Sequence, residues 1–160
     1  MQIVSLAFEH LAEALRTDPI DESDEHARWA IYRAAVADEA LLGLIYEALK
    51  DERESSLASA VVVLVLERTE RSRHAEWIDI LGDEHRGFSD RRSAELGILE
   101  DLMSERIPMV MVRDSLGEWS DWLQLKIAES VRISDVLEFV SREGRTKRIR
   151  RIASESLRTV

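Results

Sequence analysis

The sequence predicts an all-α fold, a right-handed superhelix of about five antiparallel helical hairpins. Three observations predict it. Apolar residues recur at helical spacing through most of the chain. A short block repeats at offsets of 34, 32 and 35 residues. The 160 residues include six Gly and two Pro, few for a fold of strands and tight turns. One domain is expected over residues 1–160, with hairpins near 1–37, 38–70, 71–104, 105–131 and 132–160. A chain of this size buries roughly two thirds of its unfolded surface.

The elements follow in order. Val4, Ala7, Phe8, Leu11 and Leu15 share one helical face. Pro19 and Asp21 break that helix, and Ser23 is the expected N-cap of the next. Leu41, Leu42, Ile45, Ala48 and Leu49 form the third stripe. Val61-Val62-Val63-Leu64-Val65-Leu66 has a strand-like composition and leaves a buried strand open as an alternative. The hairpin pattern favours a helix buried on most sides there. Ser89 or Asp90 is expected to cap a helix running through Leu102. Ile107–Val112 is similarly ambiguous, and Pro108 suits a first helical turn. Ser115 and Glu118 fit a capping box. Gly144 reads as a C′ residue and Thr146 as the cap of a last helix reaching Thr159.

The repeats read LAEALRTD at 11–18, IYEALKDE at 45–52 and WIDILGDE at 77–84. They align Leu15, Leu49 and Leu81, each followed by acids: Asp18, Asp51 with Glu52, and Asp83 with Glu84. A weaker copy ends at Leu116-Gly117-Glu118. The second helices share Arg-x-Ala at Arg28-Trp29-Ala30, Arg92-Ser93-Ala94 and Arg151-Ile152-Ala153, with Ala58-Ser59-Ala60 in the middle copy. The small residue is expected to let helices approach closely. The pattern resembles HEAT-like repeat proteins over most of the chain, though most first helices lack the family's Pro. The Trp, Leu-Gly, Tyr series of tetratricopeptide repeats is missing.

Charge is unevenly placed. The formal net charge is −10. Residues 1–140 hold 30 acids against 15 bases, and residues 141–160 hold seven bases against two acids. The acidic body repels phosphate backbones. Of 22 basic residues 19 are Arg, the usage of a GC-rich, bacterial genome. The N-terminal stretch lacks the pattern of a signal peptide. Leu57–Leu66 is too short to span a bilayer. A cytoplasmic protein without membrane contact is expected.

No catalytic constellation is assembled, and no cofactor or metal is expected. Cys is absent, so thiolate chemistry is excluded. His10, His26, His74 and His85 lack Glu-x-x-His and His-Glu-x-x-His spacing and read as surface or capping residues. Asp83-Glu84-His85-Arg86 could perform acid–base work, but acids recur at that turn in every copy. The scattered Gly residues make no phosphate loop, and no Ser sits in a nucleophile elbow.

The expected function is therefore non-enzymatic protein binding, as an adaptor or an immunity-type neutraliser of a basic partner. The candidate acidic surface is Asp18, Asp21, Glu22, Asp24 and Glu25, where charge complementarity would speed association. Trp119 and Trp122 share a helix face as core filling or as binding anchors. Arg145, Lys147, Arg148 and Arg151 form a basic end, either a solvated cap or a dock for an acidic protein or nucleic acid. Some HEAT-like proteins are alkylpurine DNA glycosylases that use Trp and Asp beside a basic groove. That resemblance would assign Trp119, Asp121 and Trp122, and the acidic body opposes it.

Overall fold

The computed structural model describes residues 5–160, and no strand occurs among them. Val4, expected on the first helical face, lies outside the described residues. The α-helices are α1 (Leu6–Ala14), α2 (Glu25–Ala35), α3 (Leu42–Lys50), α4 (Ser55–Leu66), α5 (His74–Ile78), α6 (Gly87–Met103), α7 (Met109–Ser115), α8 (Asp121–Ser130), α9 (Ser134–Glu143) and α10 (Lys147–Leu157). Short 3-10 turns precede α3, α5, α6 and α8. Two compact units divide the chain, residues 1–93 and 94–160, and the division falls within α6.

In the first unit α1 packs on α3, and α2 packs on α4. Phe8 meets Tyr32 edge-on with ring centroids 5.2 Å apart, and Tyr46 meets Trp77 in the same way. The Val61–Leu66 run is helical, which removes the strand alternative. Leu57, Ala58, Val61, Val62, Val63, Val65 and Leu66 are all buried, so nearly the whole circumference of α4 is enclosed. The energetics favour this. A Val in a helix costs up to about 0.7 kcal/mol relative to Ala. Burying its side chain contributes about 1.5 kcal/mol or more.

A charged group sits inside this unit. Arg28 and Glu52 have side chains only 4% exposed. Arg28 Nε and Nη2 donate to the two carboxylate oxygens of Glu52 at 3.2 and 3.1 Å. Arg28 Nη1 donates to the Glu22 carbonyl at 2.8 Å. Glu52 also accepts the Glu54 amide at 3.1 Å. Burial and then the Glu52 charge push the Tyr32 phenol above its ordinary range. Arg92 reaches back from α6 to Glu67, just beyond α4, at 2.9 Å. Of the Arg-x-Ala residues, Arg28 and Arg92 are buried, whereas Ala30 and Ala94 are exposed. At those two positions the Arg, not the small residue, joins the elements. Ala153 alone is buried as expected.

In the second unit α7 packs on α9, and α8 and α9 pack on α10. Leu123, Ile127, Leu137, Val140 and Ile149 are central to the core. Gln124 is 1% exposed and fully occupied. Its Nε2 donates to the carbonyls of Leu116 and Trp119 at 2.8 and 3.1 Å. Its Oε1 accepts the Arg145 amide at 2.9 Å.

Several caps differ from expectation. Asp24, not Ser23, caps α2, because Ser23 is held by Asp21. Ser89 and Asp90 lie inside α6, which begins at Gly87. Ser115 makes no side-chain cap. Ser120 caps α8 by accepting from the Leu123 amide, and its hydroxyl donates to Glu95. Pro108 precedes α7 rather than occupying its first turn. Thr146 caps α10 as expected. Gly144 has φ −54°, so it is not a left-handed C′ residue. It is needed for space. A Cβ there would lie 2.6 Å from the Val140 carbonyl oxygen and 2.8 Å from Ile149 Cγ2.

Gly144→Ala should therefore destabilise the protein by about 1–3 kcal/mol through overpacking. Gly43→Ala, inside α3 with nothing within 4 Å, should stabilise it by about 0.5–1 kcal/mol. Urea unfolding of the two variants checks the opposite signs.

Candidate functional site

The acidic segment after α1 is shaped by how that helix ends. Leu15 is the C-cap, and Arg16 follows with φ 53°. The Thr17 amide returns to the Ala12 carbonyl, and the Arg16 amide returns to Glu13. This is the paired closure of a Schellman turn, in which a non-Gly residue accepts a left-handed backbone. The Thr17 hydroxyl also donates to the Ala12 carbonyl at 3.2 Å. The chain thereby folds back beside α1 instead of continuing away.

The result is a groove of about 360 Å³. Ala12, Pro19 and Ile20 supply apolar lining, and Glu9, Glu13, Asp18 and Glu22 supply four carboxyl side chains. Thr17 adds a hydroxyl, and among the described residues no base contributes to the lining. The groove is anchored from inside by the bond from Arg28 to the Glu22 carbonyl.

The five acids expected as one surface are thus divided. Asp18 and Glu22 line the groove. Asp21 accepts the Ser23 amide at 3.0 Å and its hydroxyl at 2.6 Å, and these bonds hold its carboxyl below the usual carboxylate value. Asp24 accepts the His26 amide at 2.9 Å as the cap of α2. Glu25 lines a separate pocket of about 310 Å³ with His26, Trp29, Ser56, Leu57 and Ala60. Glu9 and Glu13 were not foreseen. Their signal was the i, i+4 spacing of two acids on the polar face of α1.

The aromatic pair lies in the second unit. Trp119 and Trp122 are partly buried and pack against its core. The Trp122 ring has the Lys126 ammonium 6.0 Å from its centroid. Arg145 is committed to its own fold. It donates to Asp121 at 2.8 Å, to the Gly117 carbonyl at 2.7 Å and to the Trp119 carbonyl at 2.8 Å. Lys147 and Arg148 are exposed and have no partner among the described residues. Arg151 is exposed and pairs with Glu155 at 2.6 Å.

The histidines also separate. His26 is exposed and His10 and His85 are surface residues, but His74 is 4% exposed, contrary to its surface reading. Its Nδ1 lies 2.9 Å from the Ser93 hydroxyl and its Nε2 lies 3.2 Å from the Thr69 carbonyl. Both ring nitrogens therefore tie the chain before α5 to α6. Asp83, Glu84 and His85 form an exposed 3-10 turn, and Arg86 bonds the Leu81 carbonyl at 3.1 Å. Among the described residues no group of three metal-ligating side chains could hold an ion. No helix among them is long and apolar enough to cross a membrane.

No family model, curated protein or solved structure matches the chain. The HEAT-like resemblance stands on the repeat residues alone.

The two Ser23 bonds lead to a pH prediction. Nuclear magnetic resonance titration should show Asp21 ionising below the ordinary carboxylate value, and Ser23→Ala should raise it. Because the folded value is the lower one, the stabilising contribution is present at neutral pH. It is lost as pH falls through the folded value.

Proposed function

We propose that this chain is a non-enzymatic protein-binding module, an adaptor or an immunity-type neutraliser, that grips a basic segment of its partner in the groove beside α1. One observation carries the reading. Four carboxyl side chains line the groove together with Ala12, Pro19 and Ile20, with no base among the described residues of the lining. An Arg or Lys of the partner can lay its methylene stem on Ala12, Pro19 and Ile20 and its charged head among the carboxylates. The setting favours approach, because residues 1–93 carry 20 acids against 11 bases, a net of −9. That field steers a cation toward the unit and speeds association.

The helix contacts support the solenoid reading of the architecture. Four pairs join a helix to the one two places later, α1 with α3, α2 with α4, α7 with α9 and α8 with α10, beside sequential pairs such as α4 with α5 and α9 with α10. Alternation of this kind is what stacked hairpins produce, with first helices in one layer and second helices in another.

The test is fluorescence anisotropy of a labelled peptide of alternating Arg and Leu, against the full chain. Glu13→Lys combined with Asp18→Lys changes two exposed residues and should leave folding intact. The wild-type chain should bind the peptide with an affinity that falls as salt rises. The double variant should lose at least about tenfold, roughly 1.4 kcal/mol. Equal binding by both proteins would remove the groove from the account.

A further inference from the structure

The exposed face of α10 is a second charged surface, and it does not depend on the groove. Lys147 and Arg148 occupy the first turn of the helix, and Arg151 follows one turn later. All three are exposed and lie on one side. The opposite side carries Ile149 and Ala153 into the core, and Ser156 donates to the Ala128 carbonyl of α8 at 2.7 Å. The cationic side therefore faces solvent.

Two features distinguish these cations from an ordinary solvated surface. First, neighbouring arginines have structural partners. Arg145 clamps the turn before α8, and Arg150 donates to the Gly144 carbonyl at 2.5 Å. Lys147 and Arg148 have no partner among the described residues, and Arg151 has only the exposed Glu155 of its own helix. Second, their placement opposes helix stability. The start of a helix bears partial positive charge and favours acids, yet α10 has no acid in its first turn. The Thr146 cap satisfies the Ile149 amide but brings no negative charge, so the two cations of the first turn stand against the helix's own preference.

We propose that Lys147, Arg148 and Arg151 form a docking surface for an acidic protein segment with spaced carboxylates. The charge pattern favours a protein over nucleic acid. Residues 94–160 hold 12 acids against 11 bases, a net of −1, so no extended positive field attracts a polyanion. Glu143 and Glu155 flank the cations and would repel a continuous line of phosphates. Discrete carboxylates can avoid those two acids and still meet the Arg forks.

The test uses the full chain and a variant with Lys147→Glu and Arg148→Glu. Thermal melting is measured, along with anisotropy of a labelled helical Ala-based peptide carrying Glu at every third and fourth position. The wild-type chain should bind the peptide in a salt-dependent way, and the variant should bind at least about tenfold more weakly. The variant should also melt at a higher temperature, because its new acids complement the helix start. A merely solvated surface predicts the stabilisation without peptide binding. Absent or unchanged peptide binding, or a lower melting temperature in the variant, overturns the proposal. So does tighter binding of a short DNA duplex, which would point to nucleic acid. Self-association of the wild-type chain that the variant loses would identify a second copy as the occupant and overturn a separate partner. The Glu13 and Asp18 variants report on the groove independently.

Discussion

The buried pair of Arg28 and Glu52 is the interaction on which the first unit depends. Two charges leave water together, so the desolvation cost is offset only by complete hydrogen bonding. The guanidinium meets both carboxylate oxygens and uses its remaining arm on the Glu22 carbonyl. A single side chain on α2 thus joins the turn after α3 to the acidic segment before α2. The groove beside α1 inherits its shape from that anchor, because Glu22 forms part of the groove while its carbonyl is fixed from the interior. Arg92 to Glu67 repeats the logic in the same unit, and Arg145 with Gln124 performs it in the second. Arg28, Gln124 and Arg145 also satisfy backbone groups of turns that helical hydrogen bonding leaves open.

These internal uses also redefine the surface charge. The first unit carries nearly all of the net negative charge, and the second is close to neutral. The basic end reads as one patch when only residue types are counted. Once Arg145 and Arg150 are assigned to their backbone carbonyls, Lys147, Arg148 and Arg151 are the cations that share the exposed face at the start of α10. The acidic segment shrinks in the same way. Asp21 and Asp24 serve local turns, leaving Asp18 and Glu22 to meet Glu9 and Glu13.

The helices were legible because burial enforces periodicity. Phe8 and Leu11, or Ile45 and Leu49, recur at spacings that place both in the core. Val61–Leu66 was ambiguous because complete enclosure removes the polar positions that reveal a period. Caps were less legible. Ser23 and Asp24 are adjacent cap formers, and the choice depended on the Asp21 bonds to Ser23. Gly144 was noticed for a turn conformation it does not adopt, because the Val140 carbonyl that requires it is a backbone atom. The same blindness concealed the role of Arg145, two of whose three side-chain partners are carbonyls. The groove was half visible: Asp18 and Glu22 stood out in a dense run of acids, while Glu9 and Glu13 belonged to an ordinary amphipathic helix.

The Arg28 and Glu52 charges are held for each other and together organise the first unit. A double-mutant cycle on unfolding free energy tests this most directly, using Arg28→Met, Glu52→Leu and both together in the full chain. Each single change strands a buried charge and should cost roughly 3–5 kcal/mol. The double change removes both charges and should cost far less than the sum, with a coupling of about 2 kcal/mol or more. Single effects that add to within about 0.5 kcal/mol would show two independent side chains and contradict the account.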